Sequence, residues 1–190
     1  LAREVARQAV VVLENRGVLP LDPGRGQRVA VIGPTADDPL ALLCGYSFPV
    51  HLILNDAGEA AAQVVTPRAA FERVFGAGRV AYAQGCFIIE ERKYGSPVFP
   101  GDVEKSTTLD QASPVSRRTD LIPAAVECAR GADVAVVCVG DLAGLFQTGT
   151  IGEGSDADSL DLPGVQLELV EAVVATGKPV VVVLTSGRPY

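Results

Sequence analysis

The segment between Gly152 and Gly164 reads GEGSDADSLDLPG and contains four carboxylates, of which Glu153 stands between two glycines. Glycine permits backbone conformations that other residues avoid, so we expect Glu153 to protrude on an adaptable loop. Nearby aspartates would raise its proton affinity, because like charges disfavour ionisation. A carboxyl that stays protonated near neutral pH can donate to a leaving group. The segment therefore predicts a general acid at Glu153, and the alternative is that Asp158 or Asp161 only caps the following helix.

A single carboxylate would not complete a sugar-cleaving site. Enzymes that hydrolyse a glycosidic bond with retention of configuration use two carboxylates, roughly 5 to 5.5 Å apart. No residue spacing in this chain identifies a second one. The sequence alone leaves the other half of such a site, and the residues that would bind the substrate, unassigned.

Cofactor and metal sites have little support in the sequence. The chain has no phosphate-binding loop of the G-x-x-x-x-G-K-[ST] type, and the turn at Gly33–Asp37 lacks the glycine spacing of a dinucleotide fingerprint. Asp156, Asp158 and Asp161 lack the spacing and the closing glutamate of an EF-hand. His51 is the only histidine, which argues against a histidine-based metal site. We therefore expect no cofactor and no metal.

Composition narrows the class of protein. With 190 residues, 48% hydrophobic and 21% charged, the chain is typical of a globular domain with a real core. Its net charge of -7, without a basic cluster, argues against nucleic acid as a partner. Its apolar runs fall short of the roughly 18 residues of a membrane span. Four cysteines without C-x-x-C spacing favour a reducing compartment, hence the cytoplasm over secretion. The absence of Met predicts a processed product or a fragment.

Valine-rich runs predict the strands of a parallel sheet. Val29–Gly33, Val134–Gly140 and Val180–Thr185 are almost continuously apolar, as central strands covered on both faces must be. Arg79–Gln84 is more mixed in composition, so we place it nearer an edge. Alternation of these runs with helical segments predicts the α/β class, specifically a three-layer sandwich with a mainly parallel sheet and helices on both faces.

Helix signals fall between the strands. Thr66 is expected to cap a helix that begins at Pro67, and Gly131 and Gly177 are each suited to end a helix in the left-handed conformation. The helices predicted from apolar spacing and end signals are Leu1–Asn15, the segment after Thr66, Leu121–Arg130 and Val165–Ala175.

The connections from strand to helix are long, whereas those from helix to strand are short. They span about 32, 36 and 23 residues at positions 34–65, 85–120 and 141–163, beyond the roughly 12 to 15 residues usual for compact domains. All three follow the carboxyl ends of strands, where open α/β sheets bind ligands. Loop length thus predicts an active edge, and the alternative is a set of flexible insertions.

Six segments occur in an order and spacing that together are specific. They are ENRGVLPL (14–21), VAVIGP (29–34), VTP (65–67), DVAVVCVGD (133–141), GEGSDADSLDLPG (152–164) and GKPVVVVLTSGRP (177–189). This series resembles the α/β-sandwich domain of glycoside hydrolase family 3, the β-glucosidase and β-xylosidase family. The resemblance runs nearly end to end and leaves residues 88–119 unmatched.

The resemblance implies that two domains each contribute residues to one active site. In that family a preceding (β/α)8 barrel supplies the nucleophile, an Asp, and most sugar contacts, while the sandwich domain extends the acid/base Glu over the barrel's mouth. Glu153 matches that glutamate, in the same Gly-Glu-Gly-x-Asp context, and Asp156 matches an acidic residue three places on. Ala157 departs from the family, since many members have Arg there.

By this resemblance, residues 1–190 are one α/β-sandwich domain, incomplete at its C-terminus and separated from its catalytic barrel. It would be the acid/base-bearing domain of a retaining, exo-acting β-glucosidase or β-xylosidase, which hydrolyses terminal β-linked sugars. Its expected partners are the N-terminal barrel and a β-linked oligosaccharide or glycoside substrate. The isolated chain is expected to be inactive. The alternative is a non-catalytic carbohydrate-binding or domain-packing module.

Overall fold

A parallel four-stranded sheet forms the centre of the molecule. The computed structural model describes residues 1–43, 64–91, 114–142, 149–152 and 157–190. The strands are β1 (Val29–Ile32), β2 (Val80–Ala83), β3 (Val134–Gly140) and β4 (Val180–Thr185). Their spatial order is β2-β1-β3-β4, and each neighbouring pair is parallel.

Three of the four strands lie where we predicted them in the sheet, and one does not. Every residue of β1 and β3 is buried, and β2 lies at an edge, as expected. The prediction of a central position for Val180–Thr185 is wrong, because β4 forms the other edge of the described sheet, where Val182 and Leu184 are 49% and 38% exposed. β-branched residues favour strands whether or not both faces are covered, so the valine run predicted a strand without fixing its place.

Helices cover both faces of the sheet. They are α1 (Ala2–Gln8), α2 (Pro67–Phe75), α3 (Ile122–Arg130) and α4 (Gln166–Val174). Ala125 of α3 and Leu169 of α4 pack with Ile32 on one face, and Phe75 of α2 packs with Val31 on the opposite face. The three-layer α/β sandwich is therefore confirmed. No helix in the described part of the chain has the length and apolarity of a membrane-spanning segment.

The first helix is shorter than predicted. The spacing predicted Leu1–Asn15, but α1 ends at Gln8, and Val10, Val11 and Val12 follow it outside any helix with exposed side chains. A run of β-branched residues loses side-chain freedom in a helix. No packed face compensates for this cost, because the side chains described in α1 are exposed.

Two of the three predicted helix-end signals are confirmed. The Thr66 hydroxyl accepts a hydrogen bond from the Ala69 amide at 3.2 Å, and Gly177 has a φ of 73°. The prediction for Gly131 is wrong, because its φ is -76°. The backbone stays right-handed there, and the Ala132 amide bonds to the Ala129 carbonyl at 3.1 Å, so a left-handed residue is not needed before β3.

Candidate functional site

The predicted acid lies beside a described glycine. Glu153 and Asp156 fall outside the described residues, as does His51. Gly152, which precedes Glu153, has a φ of 121°, a conformation that glycine adopts far more readily than other residues. The backbone that enters residue 153 therefore takes the kind of conformation that the flanking glycines predicted.

Asp158 and Asp161 do not cap the following helix. Both are exposed, and α4 begins after Val165 without a capping bond from any side chain. Instead, the Ser159 hydroxyl donates to Asp161 Oδ2 at 2.8 Å and accepts from the Asp161 amide at 3.0 Å. The capping alternative is therefore wrong for these two aspartates. In the described ranges, no three His, Cys, Asp or Glu side chains converge to hold a metal ion.

A buried carboxylate lies at the carboxyl end of β3. Asp141 follows the strand directly and is only 2% exposed. Its Oδ1 accepts hydrogen bonds from the Thr150 hydroxyl at 3.1 Å and from the Tyr190 hydroxyl. Its Oδ2 accepts from the Ser186 hydroxyl at 2.7 Å. We call Asp141 and these bonded neighbours, together with Arg188, the Asp141 network.

The end of β3 is held in place by its neighbours in the fold. Gly140 pairs with Thr185 of β4, and the Asp141 amide donates to the Thr185 carbonyl at 3.0 Å. On the helix side, the side chain of the buried Gln166 bonds to the Gly140 backbone twice. Its Oε1 accepts from the Gly140 amide at 2.8 Å, and its Nε2 donates to the Gly140 carbonyl at 2.9 Å. Asp141 therefore starts its loop from a backbone that is fixed on two sides.

The chain returns to this point at Thr150. Its amide donates to the Leu142 carbonyl at 2.8 Å, and its hydroxyl accepts from the Leu142 amide at 2.9 Å. Its carbonyl accepts from Arg188 Nη2 at 3.2 Å. The two ends of the intervening loop are thus joined at the sheet edge, and Gly152 lies only two residues further along the chain.

Arg188 and Tyr190 extend the network toward β4. Arg188 Nε donates to the Tyr190 hydroxyl at 3.1 Å, and that hydroxyl in turn donates to Asp141. Burial raises the pKa of Tyr190, and the hydrogen bond to Asp141 raises it further. The phenol therefore keeps its proton at neutral pH and remains a donor to the carboxylate.

A second polar group lies at the same edge, where the chain leaves β1. Asp37 Oδ1 accepts from the Thr66 hydroxyl and its Oδ2 from Arg68 Nη1, both at 2.9 Å. Arg68 also donates to Glu72 at 2.9 Å and lies over the Tyr82 ring, 4.8 Å from its centroid. These contacts tie the start of the first long connection to the start of α2.

The carboxyl ends of three strands meet around one cleft of about 370 Å³. Pro34 follows β1, Gln84 follows β2 and Leu142 follows β3, so three separate connections contribute to its walls. The cleft is both acidic and aromatic, with walls formed by Pro34, Asp37, Asp38, Tyr82, Gln84, Phe87, Ile88, Ile89, Glu90 and Leu142. A concave surface therefore lies at the edge where the long connections predicted ligand binding, and ligand binding there stays a prediction.

The thiols of the described residues are not suited to nucleophilic chemistry. Cys86, Cys128 and Cys138 are free, and burial raises the pKa of Cys86 and of Cys138 to about 12. A thiol with such a pKa is protonated near neutral pH, and the thiolate is the reactive form. Among the described residues, Cys86 and Cys138 therefore offer no thiolate nucleophile at neutral pH.

Sequence reasoning missed the Asp141 network. Its members come from three separated stretches. Asp141, Ser186 and Arg188 lie in two of the segments that carry the family resemblance, but neither segment was assigned a chemical role, and Tyr190 lies in none of them. One signal was available, because Asp141 and Ser186 each follow a predicted parallel strand directly and therefore lie at the same edge. The network bonds to Thr150, three residues before Glu153 in the sequence, and it contains no pair of carboxylates that could cleave a glycoside alone.

The family model and the relatives that are similar to this chain agree with one another. The model of the glycosyl hydrolase family 3 C-terminal domain matches residues 10–190. A periplasmic β-glucosidase of Salmonella typhimurium is 35% identical over 190 residues, 99% of this chain and 22% of that protein. A β-xylosidase of Formosa agariphila is 33% identical over 197 residues, 99% of this chain and 21% of that protein. The chain therefore spans about a fifth of the length of these curated relatives.

Two solved β-glucosidase structures are also similar to this chain. A β-glucosidase involved in saponin metabolism, from intestinal bacteria, matches with a TM-score of 0.72 and 26% identity, over 98% of this chain and 24% of that one. A β-glucosidase from Erythrobacter marinus matches with a TM-score of 0.62 and 30% identity, over 99% of this chain and 23% of that one. The fold is thus shared with one part of larger proteins.

Proposed function

Because the chain belongs to the glycosyl hydrolase family 3 C-terminal domain family, we propose that it is the acid/base-bearing domain of a retaining, exo-acting β-glycosidase. Glu153 is the proposed acid/base residue. The nucleophile, an aspartate, is proposed to lie in an N-terminal (β/α)8 barrel domain of the same protein. The proposed substrates are terminal β-linked glucosides or xylosides, the classes named for its β-glucosidase and β-xylosidase relatives.

The proposed reaction proceeds in two steps. Glu153 first donates its proton to the glycosidic oxygen while the barrel's aspartate attacks the anomeric carbon, which breaks the bond to the leaving alcohol and forms a glycosyl-enzyme. Glu153, now a carboxylate, then removes a proton from water as the water attacks the same carbon and releases the aspartate. The sugar leaves with its original configuration, and the acid is regenerated.

The observation that carries the proposal is the anchorage of Thr150 at the carboxyl edge of the sheet. The backbone of Thr150 and Ile151 is bonded there to Leu142 and Arg188, and Glu153 follows two residues after Ile151. Open α/β sheets bind ligands at this edge. An acid that continues from this anchor starts where a neighbouring domain could present a substrate.

The same proposal includes inactivity of the isolated chain. Residues 1–190 are proposed to be an incomplete sandwich domain without the barrel's carboxylate, and a retaining glycosidase needs both carboxylates. An isolated chain that hydrolyses aryl β-glucosides, and loses this activity on Glu153→Gln substitution, would contradict the two-domain account.

Leaving-group dependence in the full-length protein tests the role of Glu153. For Glu153→Gly, kcat/KM for a β-linked disaccharide should fall about 10²- to 10⁴-fold, and that for a 2,4-dinitrophenyl β-glycoside much less, because a good leaving group barely needs protonation. Azide should accelerate the variant on the dinitrophenyl substrate and yield a β-glycosyl azide, since a small anion can occupy the space of the missing carboxylate.

Glu168→Gln is the control, because it removes an exposed carboxylate from α4, outside the acidic segment. This variant should keep the parent's preference between the two substrates. Equal slowing of both substrates by Glu153→Gly, without a glycosyl azide product, would contradict the acid/base role and favour the domain-packing alternative.

A further inference from the structure

We propose that Asp141 is a positioning residue, whose hydrogen bond from the Thr150 hydroxyl helps to hold the backbone at Thr150, three residues before Glu153, so that Glu153 meets the leaving group. This inference rests on the proposed function and adds a residue to it. Asp141 would not touch the substrate, because its carboxylate is buried and bonded to other side chains. Its effect on catalysis would be transmitted through Thr150.

Thr150 is the point at which the network acts on the loop. Its hydroxyl donates to Asp141, its amide donates to Leu142, and its carbonyl accepts from Arg188. All of its polar groups are therefore bonded to the ends of β3 and β4. A residue held in this way fixes the start of the backbone that follows, whereas an exposed loop anchor would leave that direction variable.

The chemistry of the network calls for a carboxylate at position 141. Three hydroxyls, from Thr150, Ser186 and Tyr190, donate to it. An ionised carboxylate only accepts hydrogen bonds and offers about four lone-pair sites, so it can serve all three donors. Arg188 donates to Tyr190, which polarises that hydroxyl toward Asp141 and links the carboxylate to a cation.

Asp141 also joins two parts of the chain that no local bond connects. Thr150 lies 9 residues after it, whereas Ser186 and Tyr190 lie 45 and 49 residues after it, beyond β4. Without the carboxylate, the Thr150 hydroxyl would lose its acceptor at position 141 and keep its bond from the Leu142 amide. The Thr150 backbone would keep its direct bond from Arg188 but would lose its link through Asp141 to Ser186 and Tyr190.

The test compares two substrates in the full-length protein. Displacement of an acid by about 1 Å costs on the order of 10²-fold, so Asp141→Ala should lower kcat/KM for a β-linked disaccharide about 10- to 100-fold. The same variant should change kcat/KM for a 2,4-dinitrophenyl β-glycoside by less than about threefold, because protonation contributes little to its cleavage. Loss of folded protein would instead lower both values equally.

Gentler variants keep the test decisive if Asp141→Ala does not fold. Thr150→Val and Tyr190→Phe each remove one hydroxyl from Asp141 and change side-chain volume little. Each should slow the disaccharide selectively, by a smaller factor than Asp141→Ala. Asp133→Asn is the matched control, because Asp133 stands at the other end of β3 and is exposed, and it should leave both substrates unchanged.

A double variant separates this inference from the function on which it rests. If Asp141 acts through Glu153, adding Asp141→Ala to Glu153→Gly should slow the disaccharide by less than about twofold more, because the same contribution cannot be lost twice. If Asp141→Ala lowers kcat/KM for the disaccharide as strongly in the Glu153→Gly background as in the parent, Asp141 does not act by positioning Glu153. If Glu153→Gly discriminates between the substrates and Asp141→Ala does not, only the positioning role is wrong. If Glu153→Gly itself slows both equally, the proposed function fails and this inference fails with it.

Discussion

The two ends of β3 each carry an aspartate, and the surroundings of the two differ. Asp133, at the amino end, is exposed and accepts a hydrogen bond from the Arg28 amide at 2.7 Å. Asp141, at the carboxyl end, is buried and accepts bonds from three hydroxyls. The same residue type thus supports a backbone at one edge of the sheet and organises side chains at the other.

The two edges also differ in which groups their long-range bonds join. At the amino edge, the Arg28 amide bonds to Asp133 across 105 residues and Lys178 Nζ to the Ala132 carbonyl across 46, so each bond has a backbone group as one partner. At the carboxyl edge, the Ser186 and Tyr190 side chains bond to the Asp141 side chain across 45 and 49 residues. Long-range bonds between side chains therefore organise the carboxyl edge, whereas side chains at the amino edge support the backbone.

The same substitution at a glycine of each edge should give the largest difference. A Cβ at Gly140 would lie 1.8 Å from the Thr185 carbonyl oxygen, and its φ of 149° is unfavourable for other residues. Gly140→Ala should therefore destabilise the chain by about 4 kcal/mol or more. Gly131→Ala should be neutral or stabilising by up to about 1 kcal/mol, because its backbone is right-handed and a Cβ would make an ordinary 3.6 Å contact.

Urea unfolding followed by circular dichroism measures both glycine variants. Failure of Gly140→Ala to fold, beside a Gly131→Ala variant at least as stable as the parent, would agree with the contrast between the edges. Similar stability of the two variants would show that β3 and β4 can separate at Gly140 at little cost, which contradicts the close approach of these strands.

Loss of one side chain that bonds to the backbone should give an intermediate effect. Gln166→Leu keeps most of the side-chain volume and leaves the Gly140 amide and carbonyl without their buried partner, so it should cost about 2 to 4 kcal/mol. Lys178→Met is the amino-edge counterpart. It removes a 2.8 Å bond from Nζ to the Ala132 carbonyl at a half-buried position, where water can replace it, and should cost less than about 1 kcal/mol.

The midpoint and slope of urea unfolding distinguish these two variants. A lower midpoint with an unchanged slope for Gln166→Leu would indicate loss of stability without a change in the surface exposed on unfolding. If Lys178→Met costs as much as Gln166→Leu, the amino edge depends on side chains as strongly as the carboxyl edge, and the distinction between the edges is wrong.

The sequence predicted the parts of the fold that local patterns encode. Apolar runs located all four strands, and the Thr66 cap marked the start of α2, because burial and capping leave periodic or positional signals. The extent of α1, the conformation of Gly131 and the edge position of β4 were predicted wrongly. Each of these depends on what packs against the segment, and one segment's sequence does not contain that information.

The candidate site was predictable in part for the same reason. A cleft lies at the edge that loop lengths marked as the active one, whereas ligand binding at this edge and the role of Glu153 stay predictions, since Glu153 lies outside the described residues. The Asp141 network could not be found from spacing, because its members are up to 49 residues apart and follow no period. Only the parallel register of β3 and β4 brings them together.

The smallest difference between the edges should appear at helix ends. Thr66 caps α2 at the carboxyl edge and also donates to Asp37, so Thr66→Ala should cost about 1 to 2 kcal/mol. The Arg130–Glu127 pair lies on α3 next to the amino edge, with side chains 59% and 69% exposed, so Glu127→Gln should cost less than about 0.5 kcal/mol. Urea midpoints at low and high salt separate the two, since screening weakens an exposed ion pair but leaves a cap largely unaffected. A Glu127→Gln effect as large as that of Thr66→Ala would contradict the expectation that side-chain contacts stabilise the carboxyl edge more than the amino edge.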